Sequence, residues 1–179
     1  MHPLLQNYNM KDSTNTYKQS KEIASYVVKK QLGQKQKWNN IGEKMYELCT
    51  KMRLKHEPFF NGVSTRLGIT RNTILETCKS VQTEILNEGC SFGRIVSLYT
   101  FCMVLCEHCD KNDYLSDKID EVINITVEVL LENQSWFQKN GNWDGFLAFF
   151  TSPKDKLWKG LAITTVGLGA VAGIFYVNS

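Results

Sequence analysis

Apolar residues recur at helical spacing along most of this chain, with polar residues filling the outward positions between them. Ile23, Tyr26, Val27 and Lys30 follow one helix over residues 17–31, and Gly33 is placed to end it. Ile41, Met45, Leu48 and Met52 form a second stripe at i, i+4, i+7 and i+11, with Pro58 predicting a stop or bend near His56. Residues 61–68 predict one or two helical turns. Residues 70–88 predict a longer helix with Ile74, Cys78, Val81 and Ile85 inward, broken by Gly89. From Phe92 to Cys109 nearly every position is apolar, among them Ile95, Val96, Leu98, Tyr99, Phe101, Cys102, Met103, Val104 and Leu105. A helix apolar on all sides is buried on all sides, which makes this the central element. Residues 115–131 are amphipathic again: Ile119, Val122, Ile123, Thr126, Val129 and Leu130 point inward, while Asp117, Asp120, Glu121 and Glu128 face water. Two short helices, 134–139 and 142–150, meet at Gly141.

The β-branched residues keep helical rather than alternating spacing, so no strand is expected. The fold class is all-α: a helical bundle with a central buried hydrophobic helix surrounded by amphipathic helices. Residues 1–16 lack periodicity and read as a flexible leader, with residues 17–152 as the folded helical domain.

Residues 160–177, opening on Gly160 and closing on Val177, are uncharged and mostly apolar. At about 1.5 Å per residue they would span roughly 27 Å, close to the hydrocarbon thickness of a bilayer. Lys154, Lys156 and Lys159 precede the run, and Trp158 stands where an interfacial aromatic belongs. Residues 153–179 therefore read as a C-terminal tail anchor with one transmembrane helix, its basic flank keeping the body in the cytosol. A buried core helix is the competing reading. Gly167, Gly169 and Gly173 weigh against it, since each would weaken a soluble helix by about 0.5–1 kcal/mol.

Composition narrows the function classes. With 179 residues, 42% apolar and 22% charged, the chain suits one domain with a sizeable core and is too apolar for disorder. The net charge of +3 is small and its signs are interspersed, which excludes a nucleic-acid footprint. Residues 1–20 are polar and carry no secretory signal pattern. The six cysteines are accordingly expected as reduced thiols, and the sequons at Asn124 and Asn133 as incidental. Cys106, His108 and Cys109, with Cys102 one turn earlier, have metal-ligating chemistry but are successive on one apolar helix, which is core packing. The three histidines and the absence of a nucleophile context or phosphate loop leave no enzyme reading, and no metal or cofactor is expected. Gly93-Arg94 is different: a glycine permitting close backbone approach stands beside a guanidinium fork suited to one carboxylate, on a surface at the mouth of a greasy cleft.

Ser91-Phe92-Gly93-Arg94-Ile95-Val96 resembles the first homology region of the Bcl-2 apoptosis-regulator family, departing from its usual pattern at Ser91 and Phe92. Residues 136–146, with Trp136, Gly141, Trp143, Asp144, Gly145 and Phe146, resemble the second. Residues 17–23, His56-Glu57, Phe60 and residues 66–69 are similar to the pro-survival myeloid-cell-leukaemia type. The resemblance implies a groove lined by Leu48, Met52, Phe60, Val63, Leu67, Val81, Ile85, Ser97, Leu98 and Phe101. There Gly93 and Arg94 would receive the aspartate of an amphipathic killer helix. Implied partners are killer-helix-only pro-apoptotic proteins and multidomain Bax/Bak-type effectors; the implied location is the mitochondrial outer membrane facing the cytosol, shared in part with the endoplasmic reticulum.

Both arms of that family share one fold. Pore-forming members carry Leu-x-x-x-Gly-Asp in the third region, whereas Met45-x-x-Leu48 is followed here by Cys49-Thr50. Without that carboxylate, Leu48 and Met52 read as groove lining, and the chain as a pro-survival regulator that sequesters killer helices. The alternatives are a pro-apoptotic effector that permeabilises the mitochondrial outer membrane, and a membrane-anchored helical adaptor outside apoptosis. Pocket shape, and with it the choice of killer helix, depends on packing that the sequence does not display.

Overall fold

The computed structural model describes residues 3–151, with side chains from residue 14 onward, and every regular element among them is helical. The elements are α1 (Pro3–Gln31), α2 (Asn40–Lys55), α3 (Glu57–Phe60), α4 (Val63–Arg66), α5 (Ile74–Asn87), α6 (Phe92–Asp110), a 3-10 helix (Asp113–Lys118), α7 (Ile119–Leu131), α8 (Gln134–Lys139) and α9 (Asn142–Thr151).

α6 is the axis of the bundle, with α1, α2, α5 and α7 packed around it. Its residues from Phe92 to Cys106 are all buried, as an all-apolar helix requires. Ser91 caps it, the hydroxyl accepting from the Arg94 amide at 3.2 Å. α2 is capped by Asn39, whose side chain accepts from the Gly42 amide at 2.8 Å. It ends at His56, and Pro58 then sits in the first turn of α3, as its position predicts. The inward positions of α2 and α5 are buried as their stripes predict.

Three expectations need correction. First, α1 begins at Pro3, so residues 3–16, read as a leader without periodicity, are helical and continuous with the helix expected from residue 17. Its buried side continues upstream through Thr16 and Ser20, two polar residues that an apolar count passes over. Extending a helix whose core-facing turns are already fixed adds one bond per residue without a new nucleus. Second, α5 begins at Ile74 rather than residue 70. Thr73 Oγ1 accepts from the Thr70 amide at 3.0 Å, and this local bond holds residues 70–73 in a turn. Third, residues 113–118 form a 3-10 turn before α7 instead of its first α-helical turns.

Among the described residues no helix is long and apolar enough to cross a membrane; residues 160–177 lie outside them.

Candidate functional site

Helical periodicity places Arg94, Ser97, Leu98 and Phe101 on one face of α6. Leu48 and Met52 come from α2, Phe60 from α3, Val63 from α4, and Val81 and Ile85 from α5. The structure buries Leu48, Met52, Phe60, Val63, Val81, Ile85, Gly93, Ser97, Leu98 and Phe101, and leaves Leu67 half-buried. The side chains expected to line a groove are thus packed into the core cluster of the chain itself.

The segment that joins α2 to α5 is thinly held. α3 and α4 are four residues each, too short to be stable alone. Between residues 57 and 68 only Phe60 and Val63 are buried. The segment is tied partly to itself, with the Arg66 guanidinium donating to the carbonyl of Pro58 at 3.0 Å and to that of Phe59. Few buried contacts and short helices are the physical marks of an element that opens easily.

Arg94 occupies the first turn of α6 and is 8% exposed, so it is not the surface residue expected from its polarity. Nη1 donates to the Gly89 carbonyl at 2.6 Å, and Nη2 to Glu88 Oε2 at 2.7 Å. Gly89, at φ 111°, turns the chain sharply after α5 and delivers that carbonyl. Arg94 Nε is buried and has no hydrogen-bond partner. A buried guanidinium with one donor idle is poised to take another acceptor. Glu88, by contrast, has a half-exposed side chain that can swing away.

The second cluster, at residues 136–146, is a structural clamp. Trp143 Nε1 donates to Ser20 Oγ at 3.0 Å, and Tyr99 OH donates to the Ser20 carbonyl at 3.2 Å, joining α9, α6 and α1. Around this node the ring of Trp143 meets those of Phe137, Tyr99 and Phe146 edge-on, at centroid separations of 5.0, 5.6 and 5.4 Å. Phe92 packs on Trp136 at 5.2 Å and Phe146 at 5.9 Å, joining the start of α6 to α8 and α9. Gly145 is forced by space: a Cβ there would lie 1.8 Å from the Asn140 carbonyl oxygen. Asp144 is exposed in the first turn of α9, where a carboxylate suits the helix dipole.

On α2, Cys49 is buried with its thiol directed at the Val96 carbonyl of α6, 3.9 Å away. The Thr50 hydroxyl donates to the Tyr46 carbonyl of its own helix at 2.9 Å. Burial pushes the Cys49 thiol up to about 12, so it stays neutral. Cys106 and Cys109 are likewise buried, and among the described residues no group of three potential ligands converges on a metal position.

A profile of apoptosis regulator proteins of the Bcl-2 family matches residues 45–143, more than half of the chain. The chain belongs to the Bcl-2 family. Apoptosis regulator R11 of Xenopus laevis is 26% identical over 107 residues, covering 59% of this chain and 52% of the relative. Human Bcl-2-like protein 1 is 28% identical over 112 residues, covering 62% of this chain and 47% of the relative. The chain spans about half the length of the curated relatives it matches. These relatives support membership of the Bcl-2 family and not the myeloid-cell-leukaemia subtype expected from residues 17–23, 56–60 and 66–69. Among solved structures, Trichoplax adhaerens trBcl-2L2 bound to trBak BH3 has the same fold. Its TM-score is 0.67 at 23% identity, over 75% of this chain and 99% of that one.

Sequence reasoning missed Ser20 and Glu88, and it read Tyr99 only as a core residue and Gly89 only as a helix break. Ser20 lies four residues after buried Thr16 and three before Ile23, so extending the α1 stripe to small polar residues would have found it. Glu88 carries no signal, because its role depends on where the turn at Gly89 points it.

Proposed function

We propose that this chain is a pro-survival Bcl-2 family member that holds the amphipathic killer helix of pro-apoptotic relatives between α2–α4 and the α5–α6 face. The observation that carries this reading is Arg94, buried beside an apolar helix face with Nε unpaired. On binding, α3 and α4 move aside, apolar anchors of the ligand replace their contacts, and the ligand aspartate takes Arg94 from Glu88. Anchors supply most of the affinity; the ion pair sets register. The relative bound to a Bak BH3 helix supports this class of partner, killer-helix-only proteins and Bax/Bak-type effectors alike.

The pro-survival side is favoured by α2. Its stripe, including Cys49, is packed into its own core, and Thr50 offers no carboxylate to another protein's arginine. The protein works by binding and not by catalysis, anchored through residues 160–177 at the mitochondrial outer membrane with a share at the endoplasmic reticulum. An effector that permeabilises that membrane is the competing reading.

Titration of a panel of killer-helix peptides against the chain truncated after Lys159 tests the groove. Sub-micromolar binding by at least one peptide, worth more than about 8 kcal/mol, is expected. Arg94→Ala should weaken it by about 1–3 kcal/mol, towards the lower end because Glu88 already satisfies part of the charge. With the ligand aspartate replaced by alanine, the same substitution should be nearly silent. No binding across the panel at high micromolar concentration rejects the groove. Expression in cells should protect against a death stimulus, and killing by the wild-type chain would favour the effector. Imaging should place the full chain, and not the truncated one, at mitochondria.

A further inference from the structure

The outer face of α1 and the loop before α2 enclose an open cavity of about 640 Å³, remote in sequence from the α5–α6 face. Lys18, Lys21, Lys29 and Lys37 line it together with Glu22 and the aromatic residues Tyr17, Tyr26 and Trp38. Four lysines and one glutamate carry three positive charges. That is the whole formal net charge of the chain, whose other charged residues balance at 17 of each sign. The interspersed charge seen in the sequence therefore hides one localised basic site.

Six other described lysines find carboxylates: Lys30 with Glu43, Lys44 and Lys51 with Glu47, Lys79 with Glu132, Lys111 with Glu107 and Lys118 with Glu121, while Lys35, Lys55 and Lys139 stand singly and line no common cavity with one another. Among the described residues none of the four cavity lysines has such a partner. Like charges gathered around one cavity repel and attract a multivalent counter-ion. Trp38 adds a second anomaly. It is 71% exposed, the most exposed large apolar side chain among the described residues, and it lines the cavity beside Lys37.

We propose that this cavity binds a ligand bearing two or more phosphate monoesters, in the first instance the headgroup of a multiply phosphorylated lipid. The lining has lysines and no arginine, which suits phosphate oxygens approached by point charges rather than the planar, bidentate capture of a carboxylate. The lysines line one cavity of about 640 Å³ between one helix and one loop, which favours a compact polyanion over an extended acidic peptide. Exposed indole beside lysines is the pairing found at membrane surfaces, the ring entering the interface while the ammonium groups meet anionic headgroups. Bound there, the lipid would hold α1 against the bilayer and fix the orientation of the body independently of any killer helix.

The test uses the full chain. Inositol 1,4,5-trisphosphate is titrated at fixed ionic strength and read by calorimetry and tryptophan fluorescence, with sulfate as reference anion. Saturable one-to-one binding is expected, with sulfate at least about tenfold weaker. The Lys21→Gln, Lys29→Gln, Lys37→Gln variant should lose about tenfold or more, its helical spectrum unchanged because these side chains are on the surface. A control variant with Lys55→Gln, Lys79→Gln and Lys139→Gln removes the same charge elsewhere and should bind as wild type. Trp38→Phe should abolish most of the fluorescence change. In a second arm, vesicles of phosphatidylcholine with and without phosphatidylinositol bisphosphate are compared for recruitment. Preference for the phosphorylated lipid confirms a headgroup site; binding of the soluble phosphate without that preference keeps the site and assigns it a free phosphate ester. Non-saturable binding, or equal losses in the two triple variants, overturns the proposal.

Discussion

Individual contacts explain why particular residues in the two homology regions are chemically constrained. Gly145 packs its Cα under the turn between α8 and α9, where no side chain fits. Gly145→Ala must displace the Asn140 backbone and should cost about 3 kcal/mol or more, read as a lowered midpoint in thermal or urea unfolding. A change below about 1 kcal/mol would mean that the turn relaxes freely. Ser20 makes two bonds, one through its hydroxyl and one through its carbonyl, to residues far along the chain. Ser20→Ala strands the indole N–H of Trp143 in the core, an expected loss of about 1–3 kcal/mol. In a Trp143→Phe background there is no donor to strand, so the same substitution should cost clearly less.

Between elements, α2 is joined to α6 by two side-chain contacts. The Cys49 thiol is directed at the Val96 carbonyl, and one turn later Arg53 Nη1 donates to Glu107 Oε2 at 2.5 Å. Burial pushes the Glu107 carboxyl up, but hydrogen bonds from Lys111 and Arg53 outweigh it and hold the group below the ordinary glutamate value of 4.5. A carboxyl lowered in the folded state contributes stability above its unfolded value, and that contribution is lost as pH falls through the folded value. Glu107→Gln should therefore cost about 1 kcal/mol near neutral pH. As pH falls below the ordinary glutamate value of 4.5 and through the lowered folded value, the difference from wild type should shrink towards zero, as checked by urea unfolding across pH. A difference independent of pH would assign the cost to packing instead of charge.

At the scale of the whole molecule, one set of side chains serves two purposes. Leu98 and Phe101 are fully buried in the ligand-free chain and also form the face proposed to receive a helix. Leu98→Ala should thus lower stability by about 2–5 kcal/mol and weaken peptide binding at the same time. Bound peptide should raise the unfolding midpoint of the wild type, and less so that of the variant. A variant that loses stability while keeping full affinity would separate the core from the groove. Opening of the proposed groove would fall to α3 and α4, two four-residue helices that bury one side chain each.

The hydrophobic pattern alone determined the all-helical class, the central α6, the inward stripes of α2 and α5, and the junction of α8 and α9 at Gly141. Each rests on local periodicity, and periodicity is written in the order of residues. The Trp, Gly and Asp spacing of residues 136–146 and the Gly93-Arg94 pair likewise marked the family before any contact was known. Tertiary structure decided the rest. The buried side of α1 runs through Thr16 and Ser20, and Ser20 meets partners more than 70 residues away, Tyr99 and Trp143. The burial of Arg94 depended on a turn that aims Glu88 and the Gly89 carbonyl at it, and the basic cavity on a loop folding back over α1. Charge and hydrogen-bond partners are set by distance in space, which a linear chain does not record until it has folded.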